Sequence, residues 1–255
     1  MFKRTAVLVV SCGALLAGCG TDVQDEHPEL ISNLLEAGFP AEDIHVVDGA
    51  VYAGDAHVSL AASRELLQRG EGSEELYRTT NLVSTAVTKI CVNPTAAFAS
   101  YPRLSQGLDM AIVNYNALGL RITFARGPTT GCSANITAQA IPGSGASAGF
   151  PSGGLPYGII NIGYGLNTAT LDVNEHVITH ELGHTIGLRH TDFYDRSISC
   201  GGSPSNEGTA GVGSVLIPGT PTTATPGGSI MNTCYPPDTN GEFTATDRAG
   251  LNYIY

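Results

Sequence analysis

In the run His180-Glu181-Leu182-Gly183-His184-Thr185-Ile186-Gly187-Leu188-Arg189-His190, three imidazoles and a carboxylate fall at spacings that chemistry can use. On a helix, His180 and His184 are one turn apart on the same face, so two ring nitrogens can reach one ion. Glu181 lies about 100° further round, beside such an ion rather than on it. Gly187 can take the left-handed conformation that ends a helix and turns the chain back, and His190 then arrives as a third ligand. Three neutral ligands leave one zinc position open, which marks a catalytic rather than a structural site. A carboxylate beside that position can take a proton from an attacking water and pass it to a departing amine. The chemistry indicated is hydrolysis of a carbonyl–nitrogen bond at one zinc ion, with Glu181 as general base. His176 also precedes His180 by four residues, but that pair would put apolar Val177 where the base is needed. His176 is therefore expected to pack or hydrogen-bond near the site.

The helix that carries these residues is expected to start at Asp172, an N-cap followed three residues later by Glu175. Upstream, residues 103–118 form an amphipathic helix with Leu104, Leu108, Ile112 and Tyr115 on one stripe, ended by Gly119. Strands are expected over residues 81–92, 120–124, 136–141 and 158–163. Residues 200–228 are rich in Gly, Ser, Pro and Thr without a period and read as loop. Thr244-x-x-Asp247 is a capping-box start for a final helix to about Tyr253. Nearer the N-terminus, residues 28–35 are helical in spacing, and short strands at 44–47 and 51–53 flank the turn signal Asp48-Gly49. His27, His45 and His57 in this part read as surface residues.

Charge divides the chain. Residues 20–78 hold 13 acidic and 3 basic side chains, whereas residues 79–255 hold 10 and 7. A boundary near residues 70–80 follows, in the glycine-bearing charged stretch 70–75, with an acidic unit at 19–76 and a catalytic domain at 77–255. The overall charge of −11 argues against nucleic acid as a partner. Lys3 and Arg4 precede an apolar run over residues 6–16 that is too short to span a membrane as a mature helix. It ends in Leu16-Ala17-Gly18-Cys19, which resembles the lipobox of bacterial lipoproteins. That resemblance implies a signal peptide over residues 1–18, lipidation of Cys19, and an exported chain anchored at the cell envelope, with release after processing as a further outcome. Lipid would be its only tie to the membrane. The remaining cysteines, Cys91, Cys132, Cys200 and Cys234, suit two disulfides with three possible connectivities. We favour Cys91–Cys132 and Cys200–Cys234, which would staple either side of the histidine helix.

The histidine run is similar to the signature H-E-x-x-H-x-x-G-x-x-H of the metzincin metallopeptidases. Gly228-Ser229-Ile230-Met231-Asn232, about forty residues on, resembles their Met-turn, with Met231 beneath the zinc. His190-Thr191-Asp192, Ala148-Gly149-Phe150-Pro151 and Phe243-Thr244-x-x-Asp247…Tyr255 resemble the bacterial dual-action HEIGH metallopeptidases most closely. Leu182 replaces the isoleucine of that family's name, and Tyr115 stands where relatives commonly carry tryptophan. Asn232-Thr233 follows Met231 where astacins place a tyrosine two residues on; neither Tyr194 nor Tyr235 is given that role. The resemblance implies an α+β, two-lobed catalytic domain. One lobe holds a twisted mixed sheet and the zinc helix; the other is irregular and holds the Met-turn and final helix. It also implies an extended peptide or protein substrate paired along an edge strand, bordered by residues 143–156.

Tyr52-Ala53-Gly54-Asp55-Ala56 resembles the Phe-x-Gly-Asp motif of astacin propeptides, in which aspartate caps the zinc. By that resemblance Asp55 would ligate zinc in a latent zymogen, cleaved between about Arg69 and Thr80. The same residues also suit a plain turn after a strand. Calcium is a further candidate ion, at Asp192, Asp195 or Asp238-x-Asn240-x-Glu242, although the last also reads as a turn around Gly241. The main reading is a monomeric zinc endopeptidase with its own N-terminal unit as inhibitor. The alternatives are a non-catalytic surface lipoprotein stapled by zinc and a cell-wall amide hydrolase using the same chemistry.

Overall fold

Ile90, Cys91 and Val92 are consecutive fully buried residues, the pattern of a strand covered on both faces. In the computed structural model they lie on an inner strand of a five-stranded sheet. The structure describes residues 27–36, 39, 41–47, 49–58, 60, 63–64, 76–207, 213–221 and 223–255. The leader, Cys19 and the linker at 70–75 lie outside the described residues.

The sheet comprises β5 (Lys89–Pro94), β6 (Thr123–Arg126), β7 (Ala134–Ile141), β8 (Ala146–Ser147) and β9 (Ile159–Gly163), in the order β6-β5-β7-β9-β8. The chain reaches β5 from β4 (Tyr77–Arg78), which lies outside this sheet. All pairings are parallel except β8 with β9, so the edge strand runs against its neighbours. Following β5, α2 (Ala96–Ala99) leads into α3 (Pro102–Ala117), which ends at Gly119 in a left-handed conformation. Leu104, Leu108, Ile112 and Tyr115 are all buried, as the stripe requires.

The zinc-motif helix is α4 (Leu171–Thr185), and every residue from Val173 to Thr185 is buried. It lies between the sheet lobe and the irregular C-terminal lobe. Its N-cap is Thr170, whose hydroxyl accepts from the Val173 N–H at 3.2 Å, rather than Asp172, which sits in the first turn. There its charge still faces the positive end of the helix. Past α4 come the short α5 (Ser197–Cys200), β10 (Val215–Leu216) and the final α6 (Ala245–Ile254), which has the expected Thr244/Asp247 capping box. Both disulfides form in the favoured pairing, Cys91–Cys132 and Cys200–Cys234.

Two expected strands shift. Residues 81–88 are not a strand, because the N–H groups of Val83 and Ser84 go to Tyr255 Oη and the Gly154 carbonyl instead of a ladder. Leu120 and Ile122 are core residues that precede the pairing, which begins at Thr123.

The N-terminal unit contains α1 (His27–Glu36) and an antiparallel sheet of β1 (Ile44–Val47), β2 (Ala50–Ala53) and β3 (Ala56–His57). Leu30, Leu34, Phe39, Val51, Ala53 and Val58 form its own apolar cluster, separate from the main core. Leu76, expected in this unit, belongs to the other. It is fully buried in the main core, its carbonyl accepts from Ile217, and the next two residues, β4, pair with β10. Among the described residues no helix is long and apolar enough to cross a membrane.

Candidate metal centre and cleft

Gly183, inside the motif, is required by what lies under the helix. A Cβ there would come within 2.6 Å of the Met231 sulfur, which is fully buried beneath it. Gly187 has φ +106°, and a side chain would also strike Leu82 and Thr79. From Gly187 the chain is sewn to residues 77–79: Thr79 donates to the Gly187 carbonyl and Arg189 to the Tyr77 carbonyl, each at 2.8 Å. That pairing delivers His190 opposite the helix.

The three imidazole centroids are 4.6, 4.9 and 5.1 Å apart. His180 Nδ1 donates to the Ile230 carbonyl at 2.8 Å and His184 Nδ1 to the Leu188 carbonyl at 2.9 Å. His190 Nδ1 donates to the Glu207 carboxylate at 2.5 Å. With every Nδ1 spent as a donor, the Nε2 lone pairs are left for a metal. His180 Nε2 and His190 Nε2 are 3.2 Å apart. Two nitrogens bound tetrahedrally to zinc at about 2.0–2.1 Å would be about 3.3 Å apart, and His184 Nε2 is buried without a partner. The residues fit a zinc ion.

The turn at Met231 supports both sides of this site. Ile230 holds His180, the Met231 carbonyl accepts from the N–H of Thr191 at 2.9 Å, and Asn232 donates to the Thr191 hydroxyl. Asp247 anchors the turn to α6, accepting from Ser229, from the Ile230 N–H and from its own capping box.

Asp55 stands at the tip between β2 and β3 with its carboxylate among the histidines. One oxygen is 3.2 Å from His190 Nε2 and 3.8 Å from His180 Nε2; the other is 3.8 Å from His184 Nε2. These four residues are the one group of three or more potential ligands among the described residues. Asp192 and Asp195 do not join a cluster: Asp192 accepts from Thr233 and Ser199, and Asp195 from Ser197. Asn240 accepts from the Glu242 N–H, consistent with a turn about Gly241.

Electrostatics are governed by burial and by Asp55. Burial, then the Asp55 charge, raise Glu181 well above the usual carboxylate range, and Glu181 Oε2 has no hydrogen-bond partner. Burial would raise Asp55 also, but His190 and then the other two histidines outweigh it and pull it down. Burial lowers His184 and His180, whereas at His190 it is outweighed by Asp55 and Glu207, which raise the pKa. His176 is buried and lowered to about 3, paired through Nδ1 with the Thr239 hydroxyl at 2.7 Å.

A cleft of about 240 Å³ opens beside Glu181, walled by Ala146 of the edge strand, His176, Val177, Asn232 and Tyr235. Tyr235 therefore reaches the cleft, whereas the Tyr194 hydroxyl accepts from the Ala224 N–H. His57, expected at the surface, is wedged between the rings of Tyr52 and Tyr157, and its N–H donates to the Ala148 carbonyl next to β8. The sequence does not single out Glu207. It lies 17 residues past His190 in a stretch without periodicity, and only its acidity, rare in that stretch, hints at a partner.

A buried three-histidine site with an unpartnered glutamate, at the foot of a cleft edged by a strand, is the arrangement of a metallopeptidase. The family profile described as "Dual-action HEIGH metallo-peptidase" matches residues 51–255, so the chain belongs to that family of zinc-dependent peptidases. The match begins within the N-terminal unit and includes Asp55. Two solved structures of myroilysin are similar. One is 16% identical, covering 71% of this chain and 98% of that chain with a TM-score of 0.44. The other is 15% identical, covering 84% and 96% with a TM-score of 0.40. No curated protein matches.

Proposed function

We propose that this chain is an exported zinc endopeptidase of metzincin type, made as a latent precursor. The observation that carries the reading is the convergence of three Nε2 atoms beside the unpartnered Glu181 carboxylate at an open cleft. Zinc, when bound, supplies Lewis acidity toward the scissile carbonyl and the attacking water. Glu181 takes the proton from that water and returns it to the departing amine. The edge strand β8 has a free side on which an extended substrate can pair. The gripping of both His180 and Thr191 by the turn at Met231 supports the metzincin assignment.

Latency rests on two contacts. The Asp55 carboxylate occupies the position that water and the carbonyl need, and His57 bonds to the chain beside the edge strand. Cleavage would fall before Leu76, because Leu76 to Thr79 are built into the catalytic core; the Arg69–Thr80 window narrows accordingly. The leader over residues 1–18, followed by Cys19, supports export and lipid anchoring, and labelling with a fatty-acid analogue tests it in wild type against Cys19→Ser.

The decisive experiment is cleavage profiling of the zinc-loaded, linker-cleaved protein on a peptide library and on peptidoglycan. Cleavage within peptides that Glu181→Gln abolishes is expected. Digestion of peptidoglycan alone would replace the endopeptidase with an amide hydrolase, and no cleavage of either would leave zinc a structural role.

A further inference from the structure

The three histidines differ in what stands behind them. His180 and His184 come from one rigid helix, and each is backed by a neutral carbonyl. His190 comes from the irregular chain after Gly187 and is backed by a carboxylate at 2.5 Å. The one ligand outside the helix thus has the strongest acceptor behind it.

Glu207 is only 6% exposed and is fixed from several sides. Its N–H donates to the Phe193 carbonyl at 2.7 Å. Two guanidinium groups flank its carboxylate, Arg196 at 3.6 Å and Arg189 at 3.8 Å. Arg189 is itself buried between Phe39 and Phe193 and donates to Ser214 at 2.6 Å. A buried carboxylate persists where such partners offset its desolvation. An ion-pair role alone does not account for the distances: both guanidinium contacts are longer than hydrogen bonds, and the short contact is the one to His190.

We propose that Glu207 is a positioning residue of the metal site. It holds His190 with the Nε2 lone pair toward the metal and increases the electron donation of that one ligand. The proposal rests on the zinc-peptidase reading, since it assigns Glu207 a task only if His190 is a ligand.

The test is zinc affinity of the full chain, measured by competition with a chromogenic chelator. Cobalt(II)-substituted protein supplies a visible spectrum that reports ligand geometry. Glu207→Gln is expected to weaken zinc binding by about 10- to 100-fold and to shift the cobalt bands. Glu207→Asp keeps the charge for both arginines but withdraws the oxygen from His190, and should also weaken binding, by about 10-fold, the lower end of that range. Glu175→Gln, equally buried on α4 but away from the ligands, should bind zinc as wild type does. Wild-type affinity in Glu207→Asp would overturn the proposal and leave Glu207 as an ion-pair residue. So would a loss in Glu207→Gln matched by Glu175→Gln, or one explained by a melting point lowered to the same degree in the metal-free protein. Should Glu207→Gln fail to fold, Glu207→Asp alone decides. A wild-type chain that binds no zinc would instead sink the zinc-peptidase reading itself.

Discussion

The N-terminal unit and the catalytic region are both mixtures of helix and sheet, yet they are held together in different ways. Each has its own apolar cluster, and neither cluster crosses the seam between them. What does cross is mainly polar: Asp55 among the histidines, Asp43 on Arg196, and the His57 N–H on Ala148, with Phe39 against Arg189 and the His57 ring against Tyr157. The smaller unit is also far more acidic, with 13 acidic to 2 basic residues over 20–75. A seam of that kind lets one body leave without exposing the core of the other. The catalytic region, by contrast, is closed by chain pairings such as β4 with β10, and by two disulfides.

The largest effect should fall wholly in the larger region. In linker-cleaved, zinc-loaded protein, Glu181→Gln should reduce the initial rate on a peptide substrate by about 10²- to 10⁴-fold with zinc content unchanged. A residual rate above a tenth of wild type would remove Glu181 as the base. Next come two fully buried leucines on opposite sides of the seam. Leu76→Ala should cost the catalytic region about 2–5 kcal/mol, read from its denaturant midpoint. Leu34→Ala should spare that transition and instead loosen the N-terminal unit, raising activity of the uncleaved chain. If Leu34→Ala lowers the catalytic midpoint as much as Leu76→Ala does, the two units are one cooperative body.

Much of this site was legible because it is local. His180, His184, Glu181, Gly187 and His190 lie within eleven residues, and the helical geometry of the first three follows from spacing. The same holds for the Thr244/Asp247 box. What escaped depends on contacts distant in sequence. Leu76 is placed by Thr220, 144 residues away, so composition put it on the wrong side of the boundary. Glu207 reaches His190 from a loop with no period. Thr170 and Asp172 are both good N-caps, and only the turn actually formed separates them. Residues 81–88 carry strand formers, but propensity has no effect where no partner strand is offered.

Asp55→Ala in the uncleaved chain removes the charged contact at the metal site. Its loss, taken on the scale of one interaction made by a charged group, about 1.5–3 kcal/mol, should raise peptidase activity roughly 10- to 100-fold. Unchanged activity, with linker cleavage still activating, would show that the Asp55 contact does not enforce latency. A pH effect separates the interior from the seam. Burial, then Glu242 and Asp172, raise Glu175 from 4.5 to about 7, against a bond from Asn114. The folded state therefore holds this proton more tightly than the unfolded state. Its contribution is complete below about 4.5 and is lost as the pH rises through about 7. Catalytic-region stability should decline over that window, and Glu175→Gln should flatten the decline without altering latency. An unchanged slope in the variant would assign the titration to another group.

The smallest effect is the most diagnostic of how the seam is divided. Asp43 and Arg196 are 3.3 Å apart with side chains 19% and 28% exposed, so water and salt screen the pair. Such partly exposed pairs are worth about 0–1 kcal/mol. Asp43→Asn should therefore raise the activity of the uncleaved chain by no more than about fivefold, and 0.5 M salt should give wild type most of the same increase through screening. Asp43 is the side to alter, since Arg196 also flanks Glu207 and its loss would disturb His190. If Asp43→Asn releases as much activity as Asp55→Ala, the N-terminal unit is gripped at the loop behind His190 and not at the metal. The polar seam would then act through the support of one ligand, and Asp55 would be a bystander seated in the site by its neighbours.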